Sequence, residues 1–284
     1  MKRVFVNGTA LSCIDQGCGA PVVFVHGAMS DHRLWEPQRH ACAARHRFIA
    51  LDQRHYGATP ALAAGAPFSL RTRIDDLSAF LHELGAGPAH LVTWSMGGPT
   101  VLGVAIAHPR LVRSAFLYEP AMRGMCLTGE DASNVDADLR AMLAPALAAL
   151  RAGDRDAAVR AFFDAADGQP GAFDAAPAPM RAMVLENAHT LPLQLAEPPP
   201  PPLAPAQLQR IRIPVAIGRG ARTRPFYRIP AQALCRHIPH AQAIVVPQAR
   251  HLWPLRSPAA FNRTLLDFIA RSGRGCRCPG QRDA

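Results

Sequence analysis

One stretch, Leu91-Val92-Thr93-Trp94-Ser95-Met96-Gly97-Gly98, restricts the architecture more than any other part of the chain. An apolar run ends in a serine, glycines follow at once, and a helix-compatible segment continues to His108-Pro109. A strand that turns into a helix without a loop belongs to a β–α unit. Repeated units of that kind build a mostly parallel sheet with helices on both faces. The repetition is present: Pro21–Val25 and Arg47–Leu51 are continuous apolar runs, as expected of strands buried on both sides, and they end in His26-Gly27-Ala28 and Asp52. A helical segment spans Leu70–Leu84, a helix is expected from Ser95, and a further strand, Val112–Tyr118, ends at Glu119-Pro120. At the start, Lys2–Val6 and Leu11–Asp15 flank Asn7-Gly8, a hairpin signal.

After Pro120 the rhythm changes. Residues 120–205 hold Ala-rich helical stretches (138–152 and 156–166) and close on Glu197 and the five prolines 198–202, an extended spacer. The β/α pattern then resumes, with strands at Ile213–Ile217 and Ala243–Val246 and helices at Ile229–His237 and Pro258–Ala270. The expectation is an α/β sheet domain in two parts, 1–119 and 206–273. A helical insertion over 120–205 forms a lid, and a disordered Gly/Arg-rich tail covers 274–284.

The chain has 284 residues and a formal charge of +10, yet all its basic residues except Lys2 are arginines, scattered without a dense run. That argues against a nucleic-acid partner and leaves positive potential that favours anionic substrates. No apolar run reaches the length of a membrane span, and the first residues lack the pattern of a signal peptide, so no membrane partner and a cytoplasmic location are expected. Seven cysteines, odd in number and without CxxC spacing, indicate neither a disulfide framework nor a metal site.

In open α/β sheets, sites form at the carboxyl ends of the strands. A serine, an acid and a histidine here reach that rim in the chain order Ser95, Glu119, His251. The segments PVVFVHGAMSDHRLW, FIALDQRHYGAT, LVTWSMGG, LVRSAFLYEP and VVPQARHLWPLRSPAAFNRTLLDFI occur in the order and spacing of the α/β-hydrolase fold, and the chain resembles that family over nearly all of its length outside the insertion and tail. The resemblance implies a nucleophile elbow at Ser95, where residues two before and two after the nucleophile must be small. Gly97 fits and Thr93 departs. It implies His251 as the base, with Arg250 where a glycine is usual. It implies backbone N–H donors from Ala28 and Met96 for an oxyanion, with His26 and Gly27 shaping that turn.

The usual acid position, after Ile213–Ile217, is empty: no Asp or Glu lies between Glu197 and Asp267. Some relatives place the acid at the end of the preceding strand, where this chain has Glu119, which is therefore expected to hold His251; the alternative is a Ser95–His251 dyad with Glu119 buttressing the lid hinge. Asp31 and Asp52 read as turn organisers, and 186–190 either lines the pocket or packs as a helix end. The candidate substrate contacts are Met29, Trp94, Asn187 and Leu252.

These readings lead to a serine hydrolase without cofactor or metal, acting on a small carboxylic ester, lactone or thioester through an acyl-enzyme on Ser95. Epoxide hydrolases and haloalkane dehalogenases use an aspartate at the nucleophile position and are set aside. C–C bond hydrolysis or perhydrolysis by the same three residues, and a non-catalytic receptor that holds a small ligand, remain as alternatives.

Overall fold

The computed structural model describes residues 1–59, 68–122, 127–201 and 203–274. Strands β1 (Lys2–Val6) and β2 (Thr9–Gln16) form the expected hairpin, Val6 opposite Thr9, with Asn7 and Gly8 at φ of 46° and 75°. The left-handed conformation at both turn residues matches the twist of the flanking strands and suits Asn-Gly.

The chain continues through β3 (Pro21–Val25), α1 (Glu36–Ala43), β4 (Arg47–Leu51), α2 (Leu70–Glu83), β5 (Ala89–Trp94), α3 (Gly97–Ala107) and β6 (Val112–Tyr118). A helical segment follows: α4 (Gly129–Arg151), α5 (Arg155–Asp167), α6 (Ala178–Glu186), α7 (Thr190–Ala196) and α8 (Pro205–Leu208). The sheet then resumes with β7 (Val215–Gly220), α9 (Pro225–His237), β8 (Gln242–Val246), α10 (Trp253–Arg256) and α11 (Pro258–Arg274). The eight strands lie in the order β1-β2-β4-β3-β5-β6-β7-β8. β2 pairs antiparallel with β4, and β3 to β8 are parallel. Among the described residues no helix is long and apolar enough to cross a membrane.

Alternation along the strands separates two apolar layers. Phe24, Phe48 and Phe116 face Trp35 and Phe261 on one side, and Val23, Ile49, Leu91 and Leu117 face Leu77, Phe80 and Leu234 on the other. Each such side chain removed from water contributes about 1.5–3 kcal/mol. Phe162, Phe163 and Phe173 of the helical segment belong to the first layer, so that segment shares the sheet's core.

Several boundaries differ from expectation. α3 starts at Gly97 and not at Ser95, because Ser95 has a φ of 59° and cannot belong to a right-handed helix. β7 starts at Val215 and runs through Gly220, two residues later than expected at its start and three at its end. Pro214, having no N–H, cannot donate to the ladder, while glycines at 218 and 220 let the strand continue close to its neighbours. α4 begins at Gly129, well before residue 138, with Glu130 and Asp131 favourably placed in its first turn. Arg274 ends α11, and the expected tail from 275 onward, with Cys276 and Cys278, lies outside the described residues.

Candidate active site

Three parallel strands deliver the site. At the end of β5, Ser95 holds the left-handed conformation that β-carbon-bearing residues rarely adopt. Its N–H donates to the Tyr118 carbonyl at 3.1 Å, and its own carbonyl accepts from Gly98 and Ala121 at 3.0 and 2.9 Å. These bonds over-determine the turn from both sides. A β-carbon at Gly97 would collide with Thr93 Oγ1 and come within 2.9 Å of the Val25 and His26 carbonyls. Thr93 therefore fits two residues before Ser95 because Gly97 leaves it the room; its hydroxyl is buried without a hydrogen-bond partner. A β-carbon at Gly98 would likewise strike Pro120.

His251 follows β8 after a short loop and is buried, as is Glu119 at the end of β6. Glu119 Oε2 lies 2.7 Å from His251 Nδ1, and Glu119 Oε1 accepts the N–H of Gly220 at 2.8 Å. Glu119 itself stands at φ 43°, its N–H bound to the Gly218 carbonyl at 2.9 Å. When His251 Nδ1 donates to this carboxylate, the other ring nitrogen, Nε2, keeps its lone pair. The indole nitrogen of Trp94, 3.4 Å from the same Nδ1, then has no lone pair to reach and packs against the ring edge. Arg250, next to His251, turns its guanidinium outward to the carbonyls of Gly168 and Arg222, while its own carbonyl takes the Tyr118 hydroxyl at 2.7 Å.

The turn after β3 is shaped by His26. Its Nε2 accepts the Gln53 N–H at 3.0 Å, which places the ring proton on Nδ1 for donation to the Gly27 carbonyl at 2.9 Å. Complete burial holds this imidazole below its ordinary pKa and keeps it neutral. Gly27 must be small, since a β-carbon there would press on Ser95 Cβ at 3.3 Å.

Two cavities meet at Ser95. The smaller, about 40 Å³, is lined by Ala28, Met29, Trp94, Phe162, His251 and Leu252 among others. The larger, about 80 Å³, is lined by Met96, Met142, Phe162, Tyr227 and the polar trio Arg73, Gln194 and Glu197. The structure thus brings Ser95, His251, Ala28, Met29, Trp94 and Leu252 around one space, and Ser95 and Met96 around the other.

Asn187, also expected to contact substrate, lines neither of these two cavities. Its side-chain N–H donates to Asp31 Oδ2 at 2.8 Å and to the Met183 carbonyl at 2.9 Å, and its oxygen accepts from Gly57 N–H at 2.9 Å. An amide so occupied fastens the helical segment to the loops after β3 and β4. Glu186 joins the same seam through Arg33, and His189 through the His55 carbonyl. Asp31 and Asp52 organise this seam: Asp31 takes the Arg33 guanidinium, and Asp52 takes His32 Nδ1 at 2.7 Å and Ala58 N–H at 2.9 Å. Although Asp31, His32 and Asp52 lie close enough together to share an ion, their carboxylate oxygens are all engaged in these hydrogen bonds.

Tyr227 and Arg73 escape sequence reasoning. Tyr227, in the first turn of α9, stacks on the His251 ring at 4.0 Å and 11°, its hydroxyl donating to Met142 Sδ at 3.9 Å, and it lines the larger cavity together with Ser95. Burial raises its phenol above the ordinary range, so it stays a donor. Pro225 opening a helix after β7 marks where that helix starts, but nothing local says its third residue meets His251.

The profile of the alpha/beta hydrolase family matches residues 22–264. Among curated proteins, an (E)-2-((N-methylformamido)methylene)succinate hydrolase of Acinetobacter baylyi is 33% identical over 107 residues, 38% of this chain and 40% of that protein; the match thus spans well under half of that relative's length. Among solved structures, the enol-lactonase of Burkholderia xenovorans LB400 superposes with a TM-score of 0.73 at 20% identity, covering 95% of this chain and all of the other. An alpha/beta hydrolase of Sphaerobacter thermophilus superposes with a TM-score of 0.74 at 25% identity, covering 94% of this chain and all of the other. With an eight-stranded sheet of this order and a family match across most of its length, the chain belongs to the alpha/beta hydrolase family.

Proposed function

We propose that the protein is a serine hydrolase that cleaves a small carboxylic ester, lactone or thioester through an acyl-enzyme on Ser95. The observation that carries this reading is the buried Glu119–His251 hydrogen bond of 2.7 Å behind a serine held at positive φ, with serine and imidazole lining one cavity. His251 Nε2 takes the Ser95 proton as Oγ attacks the acyl carbon, and Glu119 stabilises the imidazolium so formed. The Ala28 and Met96 N–H groups receive the developing oxyanion, helped by the positive end of α3. His251 then protonates the leaving alcohol or thiol, and activates the water that frees the acid from Ser95.

The segment between β6 and β7 acts as a lid in this reading, since Phe162, Met180, Val184 and Gln194 from its helices wall the two cavities. Cavities of this size suit a small acyl group. The hydrolase name of the Acinetobacter relative and the lactonase name of the Burkholderia structure agree with hydrolysis of a carboxylic acid derivative. The test is release of p-nitrophenol from short-chain p-nitrophenyl esters by the purified protein. Turnover that disappears in Ser95→Ala supports the reading; unchanged turnover in that variant, or none in the wild type across esters, lactones and thioesters, rejects it.

A further inference from the structure

Arg73 sits in the first turn of α2 and is only 8% exposed, yet it lines the larger cavity beside Ser95. Its Nη2 donates to both oxygens of Glu197 at 3.0 Å. Among the described residues its Nε and Nη1 are buried without a hydrogen-bond partner, and so is Oε1 of Gln194, which lines the same cavity. Buried donors of a guanidinium are rarely left unmade. Two donors and an acceptor without partners among the described residues belong to side chains that line one cavity, Gln194 standing one helical turn before Glu197, and together they define the group that complements them.

Charge decides which group that is. Glu197 already balances Arg73, so a carboxylate would bring a second negative charge to a single guanidinium, between Leu70, Leu139 and Met142. A hydrocarbon end would leave the donors as they are. A carboxamide accepts from Arg73 through its carbonyl, donates to Gln194 through its N–H, and adds no charge. The side of the cleavage follows from His251, which lines only the smaller cavity of the two. The leaving group must receive its proton there, so the acyl chain occupies the larger one.

Resting on the hydrolase reading above, we propose that the Arg73–Gln194 end of the larger cavity binds an uncharged carboxamide at the far end of the substrate's acyl group. Three methyl esters of nearly equal shape test it: methyl succinamate, monomethyl succinate and methyl 4-methylpentanoate, together with their homologues one carbon longer. Hydrolysis is followed by proton release. The amide should show a kcat/KM at least about tenfold above both others, as befits a site whose polar groups need partners. In the double variant Arg73→Met/Glu197→Gln, which removes both charges together, that preference should collapse. Should the variant not fold, the wild-type comparison decides alone. Preference for the carboxylate or the hydrocarbon, or equal rates, overturns the proposal and leaves the hydrolase reading intact. Calorimetric binding of the same esters to Ser95→Ala protein separates the two claims further. Selective binding of the amide without turnover in the wild type would keep the subsite and reject hydrolysis, and absence of both would reject the pair.

Discussion

Glu119 and His251, 132 residues apart in the chain, meet through a 2.7 Å hydrogen bond to which solvent has almost no access. Because the other Glu119 oxygen is held by Gly220 N–H, the carboxylate cannot rotate away from the imidazole without breaking a second buried bond. Glu119→Gln keeps the shape and removes the charge, and its amide allows the wrong tautomer of His251. A loss on the order of 10⁴ in kcat with a near-wild-type melting temperature is expected. Retention of more than about a tenth of kcat would make Glu119 structural and leave Ser95–His251 as a dyad.

The Tyr227 ring lies flat on His251, where its face is placed to favour a positive charge on the imidazole. Tyr227→Leu removes ring and hydroxyl; Tyr227→Phe removes only the hydroxyl and its contact with Met142 Sδ. A cation–π contribution of about 1–2 kcal/mol corresponds to a roughly five- to thirtyfold fall in kcat for the leucine variant, with the phenylalanine variant closer to wild type. Equal losses in the two would assign the effect to the hydroxyl.

Asn187 is a fastener between the helical segment and the loops that carry Asp31 and Gly57. Replacing it by Leu leaves the buried Asp31 carboxylate and the buried Met183 carbonyl each short of a bond, and undoes the bond to Gly57 N–H. A cost of about 2–4 kcal/mol in urea unfolding is expected. Asn187→Asp should be worse, since it sets a carboxylate against Asp31. If either variant unfolds at the wild-type midpoint, the seam is not what holds the segment down.

Acid should weaken the fold through His90. Burial foremost, then Arg113 and His46, holds this imidazole down at about 4, and its Nδ1 is 2.7 Å from Ser114 Oγ. Below its ordinary value near 6.5 the unfolded chain takes up a proton that the folded chain refuses, so stability falls as pH drops from about 6.5 toward about 4. By pH 4.5 the difference amounts to about 2–3 kcal/mol. Denaturant midpoints between pH 7.5 and 4.5 should fall less steeply in His90→Gln, and parallel curves would contradict this.

The strands and the residues at their ends were readable in advance because both depend on local pattern. An apolar run marks a buried strand, and whatever follows it, Ser95, Glu119 or Asp52, stands at the rim by topology alone. The lack of acids after β7 was visible as a plain absence. Arg73, Gln194 and Tyr227 were not readable. They reach the cavities from helices whose rotation about their own axes is set by packing, and a buried arginine in a helix looks in sequence like a solvated one. Asn187 left two readings open for the same reason: a polar residue at a helix end looks available until its three partners, brought from Asp31, Gly57 and Met183, are in view.

Because Glu119, the partner of His251, follows β6 directly, ahead of the helical segment, the turn between β7 and α9 need bring no carboxylate to that imidazole. Arg224 uses that turn to clasp Asp138 of α4, and Tyr227 uses it to reach the site. A chain broken anywhere between residues 121 and 214 would keep Ser95 and Glu119 on one piece and leave His251 on the other.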